Sequence, residues 1–209
     1  MRWIGALLVI AACHEGGTAV TDGPTGTDGT MIAPGLYVAW KAALPGALTE
    51  RITVSEVTFD VERFEVLGDS TGGTSRSRFE LTWSSSATPE DEVFRDAPPG
   101  VYSQIALTLG GGFSQDAYEI RGTWRNGSGE ARRFKIEDRQ ALRMSLELSE
   151  TLAAGGAATI GIEVELTDAI AEIDFRDLDE DDGVLELKTG HPQMQGFRSR
   201  LQRAFRLDD

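Results

Sequence analysis

The stretch 51–67, RITVSEVTFDVERFEVL, is a long run of β-forming residues. Ile52 and Val54 occupy one phase of a two-residue period, whereas Val57 and Phe59 occupy the other. A two-residue period predicts a strand with one buried face. Because a bulge inserts one residue and exchanges the two faces, the change of phase predicts a bulge between the two pairs.

Shorter runs with the same period continue along the chain and are separated by Gly, Pro, Asn and Ser residues that favour turns. Long amphipathic helices do not separate these runs, so the pattern predicts an all-β protein, an antiparallel β-sandwich of about nine strands, and not a parallel βαβ sheet. Besides the first stretch, the predicted strands lie near residues 36–40, 79–83, 101–109, 118–124, 134–136, 142–148, 160–166 and 184–187.

Two segments near the C-terminus have a helical period instead. Ile170 and Ile173 indicate a short helix near residues 168–178 that closes one end of the sandwich. Further along, Met194, Phe197 and Leu201 share one stripe of a helix while the neighbouring arginines lie off it, which predicts a C-terminal surface helix near residues 193–207.

The N-terminus begins MRWIGALLVIAAC. Arg2 is followed by an apolar run of about ten residues and by small residues at Ala11 and Ala12, as in an export signal. A membrane-spanning helix needs about twenty apolar residues, so this run is too short to remain as a span.

The sequence Ile10-Ala11-Ala12-Cys13 resembles the lipobox of bacterial lipoproteins. The resemblance implies that Cys13 is alkylated by a diacylglycerol after the signal peptide, residues 1–12, has been removed. It also implies a bacterial cell-envelope location. His14 stands where an Asp would favour the inner membrane, which favours the outer membrane and leaves the leaflet open.

Residues 13–34 form a predicted tether that separates Cys13 from a single domain at residues 35–209. The tether is dominated by Gly, Thr, Asp and Pro, a composition that cannot build a core. Random-coil scaling gives it an end-to-end distance on the order of 25 Å. The alternatives are an ordinary secretory peptide and a cytosolic chain with a buried N-terminal strand, but neither explains Cys13 and the composition that follows it.

The charge limits the partners that this domain can have. Without residues 1–12 the chain has 19 basic and 34 acidic residues, a net charge of −15. Phosphates would be repelled, so the composition argues against nucleic acid. We therefore expect the bilayer to be contacted only through acylated Cys13, and the remaining partner to be an unknown envelope protein or glycan.

Six carboxylates crowd residues 174–182 and indicate a possible Ca²⁺ site, because this cation prefers several oxygen ligands from one loop. The ligands would be Asp177, Asp179, Asp181 and Asp182. The spacing begins like an EF-hand loop and then departs from it, since Gly183 comes one residue late. The alternative is a solvated acidic connection between the short helix and the last strand.

Catalytic side chains are scarce in this sequence, which favours a protein that is not an enzyme. His191 precedes Pro192 and suits a turn, and no Gly-x-Ser-x-Gly motif accompanies it. Paired carboxylates of a glycosidase could come from Glu56, Asp60, Glu62 and Glu65, although such residues are also typical of the wet side of a sheet.

Several aromatic residues could form a platform that stacks on carbohydrate if they pointed outward. Trp40 and Trp124 fall in alternating apolar runs, which favours places in the core for these two. The full set consists of Tyr37, Trp40, Tyr102, Tyr118 and Trp124.

Residues 52–68, 96–103 and 171–175 resemble segments of uncharacterised β-sandwich lipoproteins of environmental bacteria, which are similar to transthyretin-like or prealbumin-like domains. The resemblance implies a transthyretin-like or Ig-like sandwich and supplies no catalytic residues. The leading prediction is therefore a membrane-anchored lipoprotein with a non-enzymatic β-sandwich for adhesion, envelope structure or ligand binding. A calcium-binding module is the alternative, and an envelope polymer hydrolase is a weaker one.

Overall fold

A computed structural model describes residues 32–69, 72–110 and 116–208. The predicted signal peptide, Cys13 and most of the predicted tether lie outside these ranges. Among the residues described, no helix is both long and apolar enough to cross a membrane.

The described residues form thirteen strands, two α-helices and one 3₁₀ helix. The strands are β1 (Gly35–Lys41), β2 (Gly46–Ala47), β3 (Ile52–Gly68), β4 (Gly73–Ser84), β5 (Glu92–Phe94), β6 (Gly100–Leu109), β7 (Tyr118–Arg125), β8 (Ala131–Asp138), β9 (Leu142–Leu152), β10 (Ala157–Val164), β11 (Asp179–Asp181), β12 (Val184–Lys188) and β13 (Phe205–Leu207). The helices are α1 (Thr167–Ala171), the 3₁₀ helix Phe175–Asp177 and α2 (Met194–Ala204).

The strands form two sheets that enclose one hydrophobic core. The smaller sheet has the order β13-β10-β1-β5, and the larger has the order β11-β12-β8-β7-β3-β6-β9, with β2 and β4 also paired to β3. The predicted all-β sandwich is therefore confirmed. The nine predicted strands correspond to the longer ones, and the four additional strands β2, β5, β11 and β13 have only two or three residues each.

Strand β3 organises the larger sheet. Its register against β7 shifts between Val54 and Glu56, which confirms the bulge predicted from the change of phase. A second shift, against β6, lies between Val61 and Arg63. This second shift exchanges the two faces of β3 again, so that the buried position after Val61 is Phe64.

Strands β7 and β6 pair with successive parts of one edge of β3, which places them end to end. Strand β4 occupies the opposite edge of β3 from Glu56 onward. At the junction Asp60 donates its N–H to Ala117 and accepts one from Gly110, each at 3.0 Å. Strand β8 pairs with the outer edge of β7, and β9 pairs with the outer edge of β6. The larger sheet therefore has two halves that share β3.

Two strand pairs are parallel, which makes both sheets mixed. Strand β1 pairs with β10, and β8 pairs with β12. In each case many residues separate the partners, so the chain has room to return to the same end of the sheet. Short hairpins connect four of the antiparallel pairs: β2 with β3, β3 with β4, β7 with β8, and β11 with β12.

The predicted helix at 168–178 is divided into α1 and the 3₁₀ helix. The break falls at Asp174, whose backbone is extended and whose side chain accepts the N–H of Arg176 at 3.1 Å. Ile170 and Ile173 are buried, as the period predicted, and Phe175 is buried as well.

The predicted helix at 193–207 ends earlier, at Ala204. Its buried stripe contains Met194, Phe197 and Leu201, as predicted. The last three residues instead form β13, which pairs with β10 and brings Arg206 opposite Glu163. A free sheet edge at β10 therefore overrides the helical period at the end of the chain.

Candidate functional site

The inner face of β8 carries a charged residue at each end. Arg132, Phe134, Ile136 and Asp138 alternate with outward residues, and Phe134 and Ile136 are buried in the core. Charged residues at core-facing positions need partners. The two ends of β8 provide these partners differently. At Arg132 the charged pair is partly exposed to solvent, and we call this the open end; at Asp138 the carboxylate is buried, and we call this the closed end.

The open end is built on three neighbouring strands. Trp124 of β7 lies directly opposite Arg132 of β8, so both side chains point to the inner face. In the next row Leu185 pairs with Phe134, and Glu180 pairs with Leu185. The register thus brings Trp124, Arg132 and Glu180 to one corner of this face.

Aromatic rings cover part of this corner. Phe175 of the 3₁₀ helix stacks on Trp124 with ring centroids 5.4 Å apart and 16° between the planes. The same ring meets Phe134 at 5.1 Å. Phe134 itself lies across Gly122, where a Cβ would come within 2.6 Å of the ring. Trp124 is packed against Phe175 on one side and remains half-buried.

Arg132 and Glu180 form an ion pair beside these rings. Their side chains are 32% and 45% exposed, respectively, so the pair remains partly in solvent. The hydrogen bond to Glu180 raises the pKa of Arg132, which keeps the guanidinium charged. Both groups therefore have donors and acceptors left for a ligand.

A cavity of about 470 Å³ opens at this corner. We call it the Trp124 cleft; its lining residues include Trp124, Arg132, Phe175, Arg176, Leu178 and Glu180. The loop between β7 and β8 forms one rim. Asn126 orders this loop because its Oδ1 accepts the N–H groups of Ser128 and Glu130, each at 3.0 Å.

The closed end of β8 is the network around Asp138, which is fully buried. Arg198 of α2 donates two hydrogen bonds to its carboxylate, at 2.5 and 2.8 Å. Thr189, Tyr118 and the N–H of Gln140 donate three more, at 2.7, 3.0 and 3.2 Å. We call this set the Asp138 network; it fastens α2 to the larger sheet.

The pKa values in the Asp138 network reflect a satisfied buried anion. Burial acts to raise the pKa of Asp138, but the hydrogen bonds from Arg198, Thr189, Gln140 and Tyr118 outweigh it and the pKa is lowered. Burial and the neighbouring carboxylate raise the pKa of Tyr118. Tyr118 therefore stays protonated and donates to an ionised Asp138.

Glu92 of β5 is a contrasting buried carboxylate. Its partner is Arg76 of β4, whose side chain is half exposed. Burial raises the pKa of Glu92, and the Arg76 charge and hydrogen bond only partly oppose this effect. This pair joins the two sheets, and it lies away from both ends of β8.

The predicted calcium ligands lie on an exposed hairpin. Asp177 ends the 3₁₀ helix, Asp179 and Asp181 belong to β11, and Asp182 forms a two-residue turn with Gly183. Both turn residues have positive φ, 46° and 75°, as a type I′ turn requires. Calcium binding here stays a prediction. A rise in melting temperature with Ca²⁺ that disappears when Asp177, Asp179 and Asp181 become Asn would support it, and no response in the wild type would contradict it.

A different set of carboxylates comes together elsewhere among the described residues. Oxygen atoms of Asp116, Glu119 and Glu137 lie within 4.8 Å of one another. Cations already accompany them, because Lys135 contacts Glu119 at 3.0 Å and also pairs with Glu137, while Arg139 lies 3.3 Å from Asp116. None of these three carboxylates and none of the predicted calcium ligands lines the Trp124 cleft, although Glu180 and Leu185 of the hairpin do.

The residues considered for hydrolysis are dispersed. Glu56, Asp60, Glu62 and Glu65 follow β3 on the side away from the core, where Glu56 pairs with Arg121 and Glu65 with Arg63. His191 links the entry of α2 to the 3₁₀ helix. Its Nδ1 accepts from Gln193 at 3.3 Å, and its Nε2 donates to the carbonyl of Asp177 at 3.2 Å.

The five aromatic residues divide by burial. Trp40, Tyr102 and Tyr118 are core residues, whereas Tyr37 and Trp124 are half-buried. The structure therefore brings only Trp124 of this set into the cleft. The core interpretation is confirmed for Trp40, and Trp124 combines a core contact with a place in the cavity wall.

Sequence reasoning missed Arg132, Glu180, Asp138 and Arg198. A signal for two of them was present, because Arg132 and Asp138 fall in the same phase as the buried Phe134 and Ile136. The partners Glu180 and Arg198 come from distant segments, and no local pattern identifies them.

No protein-family model, curated protein or solved structure matches this chain.

Proposed function

We propose that this protein is a lipid-anchored component of a bacterial cell envelope whose β-sandwich binds a ligand without transforming it. The observation that carries the anchor is the apolar run that ends in Ile10-Ala11-Ala12-Cys13. Cys13 is the only cysteine of the chain, so a disulfide within the chain is not an alternative role for it.

The charge of the chain supports an anchored domain that stands away from the membrane surface. With a formal net charge of −14, the protein has no general electrostatic attraction to anionic lipid. Residence at a membrane then depends on the acyl chains of Cys13.

The Trp124 cleft supports binding over hydrolysis. Glycosidases use two carboxyl groups that flank the scissile bond. Among the described residues that line the cleft, Glu180 is the one carboxylate. The lining combines the two aromatic rings of Trp124 and Phe175 with polar side chains that can fix the orientation of a ligand.

Replacement of Cys13 by Ala tests the anchor. We expect the wild type to incorporate radiolabelled palmitate and to sediment with membranes, and the Cys13→Ala variant to lose both properties. His14→Ala is the matched control, since it alters the neighbouring residue and keeps the thiol. A Cys13→Ala variant that sediments and labels like the wild type would contradict the proposal.

His14→Asp tests the predicted destination. The lipobox resemblance implies that Asp directly after the lipidated cysteine favours the inner membrane. We therefore expect density-gradient fractionation to find the wild type with outer membranes and His14→Asp with inner membranes. An identical distribution of the two proteins would contradict the outer-membrane assignment.

A further inference from the structure

We propose that the Trp124 cleft binds an uncharged saccharide, with one sugar ring against Trp124 and its hydroxyl groups on Arg132 and Glu180. This inference names the ligand class of the binding role proposed above and rests on that role. It does not depend on the lipid anchor.

The aromatic wall is already organised for stacking. The ring of Phe175 packs nearly parallel to that of Trp124, and the ring of Phe134 packs against Phe175. A fixed ring loses little conformational entropy when a ligand binds. The C–H face of a pyranose is apolar and matches an indole plane, whereas the hydroxyl groups at the edge of the sugar need polar partners.

Arg132 and Glu180 supply those partners beside the ring. The guanidinium offers planar N–H donors, and the carboxylate offers acceptors with spare lone pairs. An alcohol group both donates and accepts, so one sugar can bridge the two residues. The ion pair also lies on the inner face of the sheet, next to the cavity.

Charge argues for an uncharged sugar. Arg132 and Glu180 neutralise each other. Asp177 and Asp179 flank the lining residue Leu178 in the sequence, and Asp182 lies at the turn of the hairpin. In a protein with net charge −14, these carboxylates repel an anionic sugar. Two cations oppose this repulsion: Arg176 at the rim, and Arg133, whose guanidinium donates to the carbonyl of Asp182 at 3.3 Å.

The size of the cavity limits the part of the ligand that it can hold to a short stretch of saccharide. Its volume of about 470 Å³ lies in the lower part of the range for small-molecule sites. A mono- or disaccharide, or the end of a longer glycan, fits such a volume. The rim at Asn126 is held by its own hydrogen bonds, so the entrance is already formed.

The test is calorimetric titration of the full-length protein in detergent with cellobiose and with diacetylchitobiose. We expect at least one of these neutral disaccharides to bind, and digalacturonate to bind more weakly. Trp124→Ala should weaken the neutral disaccharide by about tenfold, because it removes the stacking surface. Trp124→Phe should retain part of the affinity.

Arg132→Met provides a second variant that does not alter the aromatic cluster. It should also weaken binding, whereas Arg95→Met, at an exposed arginine after β5, should not. Thermal melting by circular dichroism checks that each variant is folded.

Absence of binding by both neutral disaccharides would overturn the inference, as would wild-type affinity in both Trp124→Ala and Arg132→Met. Equal or tighter binding of digalacturonate would overturn the assignment to an uncharged sugar. These results are separable from the anchor, because membrane fractionation of Cys13→Ala reports only on lipidation.

Discussion

The two ends of strand β8 accommodate a charged residue on the inner face of the larger sheet in different ways. Each has a charged residue on the inner face of the sheet, paired with an opposite charge from a distant segment. At Asp138 the carboxylate is fully buried and accepts five hydrogen bonds. At Arg132 the pair with Glu180 remains about one-third to one-half exposed.

The difference shows which end contributes stability and which can bind a ligand. A buried carboxylate without its partners would be very costly, so the Asp138 network ties folding to the correct placement of α2. An exposed pair contributes little to folding. Its hydrogen-bonding groups remain available, and it lies beside a half-buried tryptophan and a cavity.

Arg198→Met gives the largest expected effect on stability. It leaves the ionised carboxylate of Asp138 buried without its bidentate partner. We expect the free energy of unfolding to fall by about 3 kcal/mol. Urea denaturation followed by circular dichroism measures this change. A loss as small as that of an exposed ion pair would show that Asp138 is stabilised by its other donors alone.

Acid should weaken the Asp138 network. The pKa of Asp138 is lower in the folded protein than its ordinary value, so its contribution is fully present above the unfolded pKa of about 3.9. The contribution is lost as the pH falls from there through the lowered pKa.

Asp138→Asn isolates this titration, because asparagine does not ionise. We expect the difference in unfolding free energy between the wild type and Asp138→Asn to be constant near neutral pH and to shrink below about pH 4. Urea denaturation across this pH range measures it. A difference that grows in acid would show that the pKa of Asp138 is raised and not lowered.

Arg132→Met should have the smallest effect on stability. Its ion pair with Glu180 is partly exposed, and methionine retains an aliphatic stem beside Trp124 and Phe175. We expect nearly the same midpoint of urea denaturation as in the wild type. A loss comparable to that of Arg198→Met would mean that the open end is as important for folding as the closed end.

Much of the fold could be predicted from local pattern. The longer strands have alternating apolar residues, and the bulge near Val54 follows from one change of phase in β3. The strands of two or three residues could not be predicted, because so few residues carry no period and their pairing depends on the neighbouring strands. β13 shows this most clearly, since it continues a helical pattern and becomes extended at the edge of β10.

The site was less predictable than the fold. Arg132 and Asp138 fall at the same alternate positions as the buried residues of β8, which indicates that both charges are at least partly buried. This pattern does not identify the residues that pair with them. Arg198 is 60 residues from Asp138 and faces it only because α2 returns to the sheet. Glu180 lies in an acidic run whose composition points to solvent or metal, and only the pairing of β11 with β12 turns it toward Arg132.

The most direct test of the account is to measure two quantities in the matched variants Arg132→Met and Arg198→Met: the free energy of unfolding, and the affinity for the neutral disaccharide that binds the wild type. We predict that Arg132→Met loses affinity and keeps its stability, whereas Arg198→Met loses stability and, where it is still folded, keeps its affinity. Equal losses of stability in the two variants, with saccharide affinity unchanged in Arg132→Met, would contradict the division of roles between the two ends of β8.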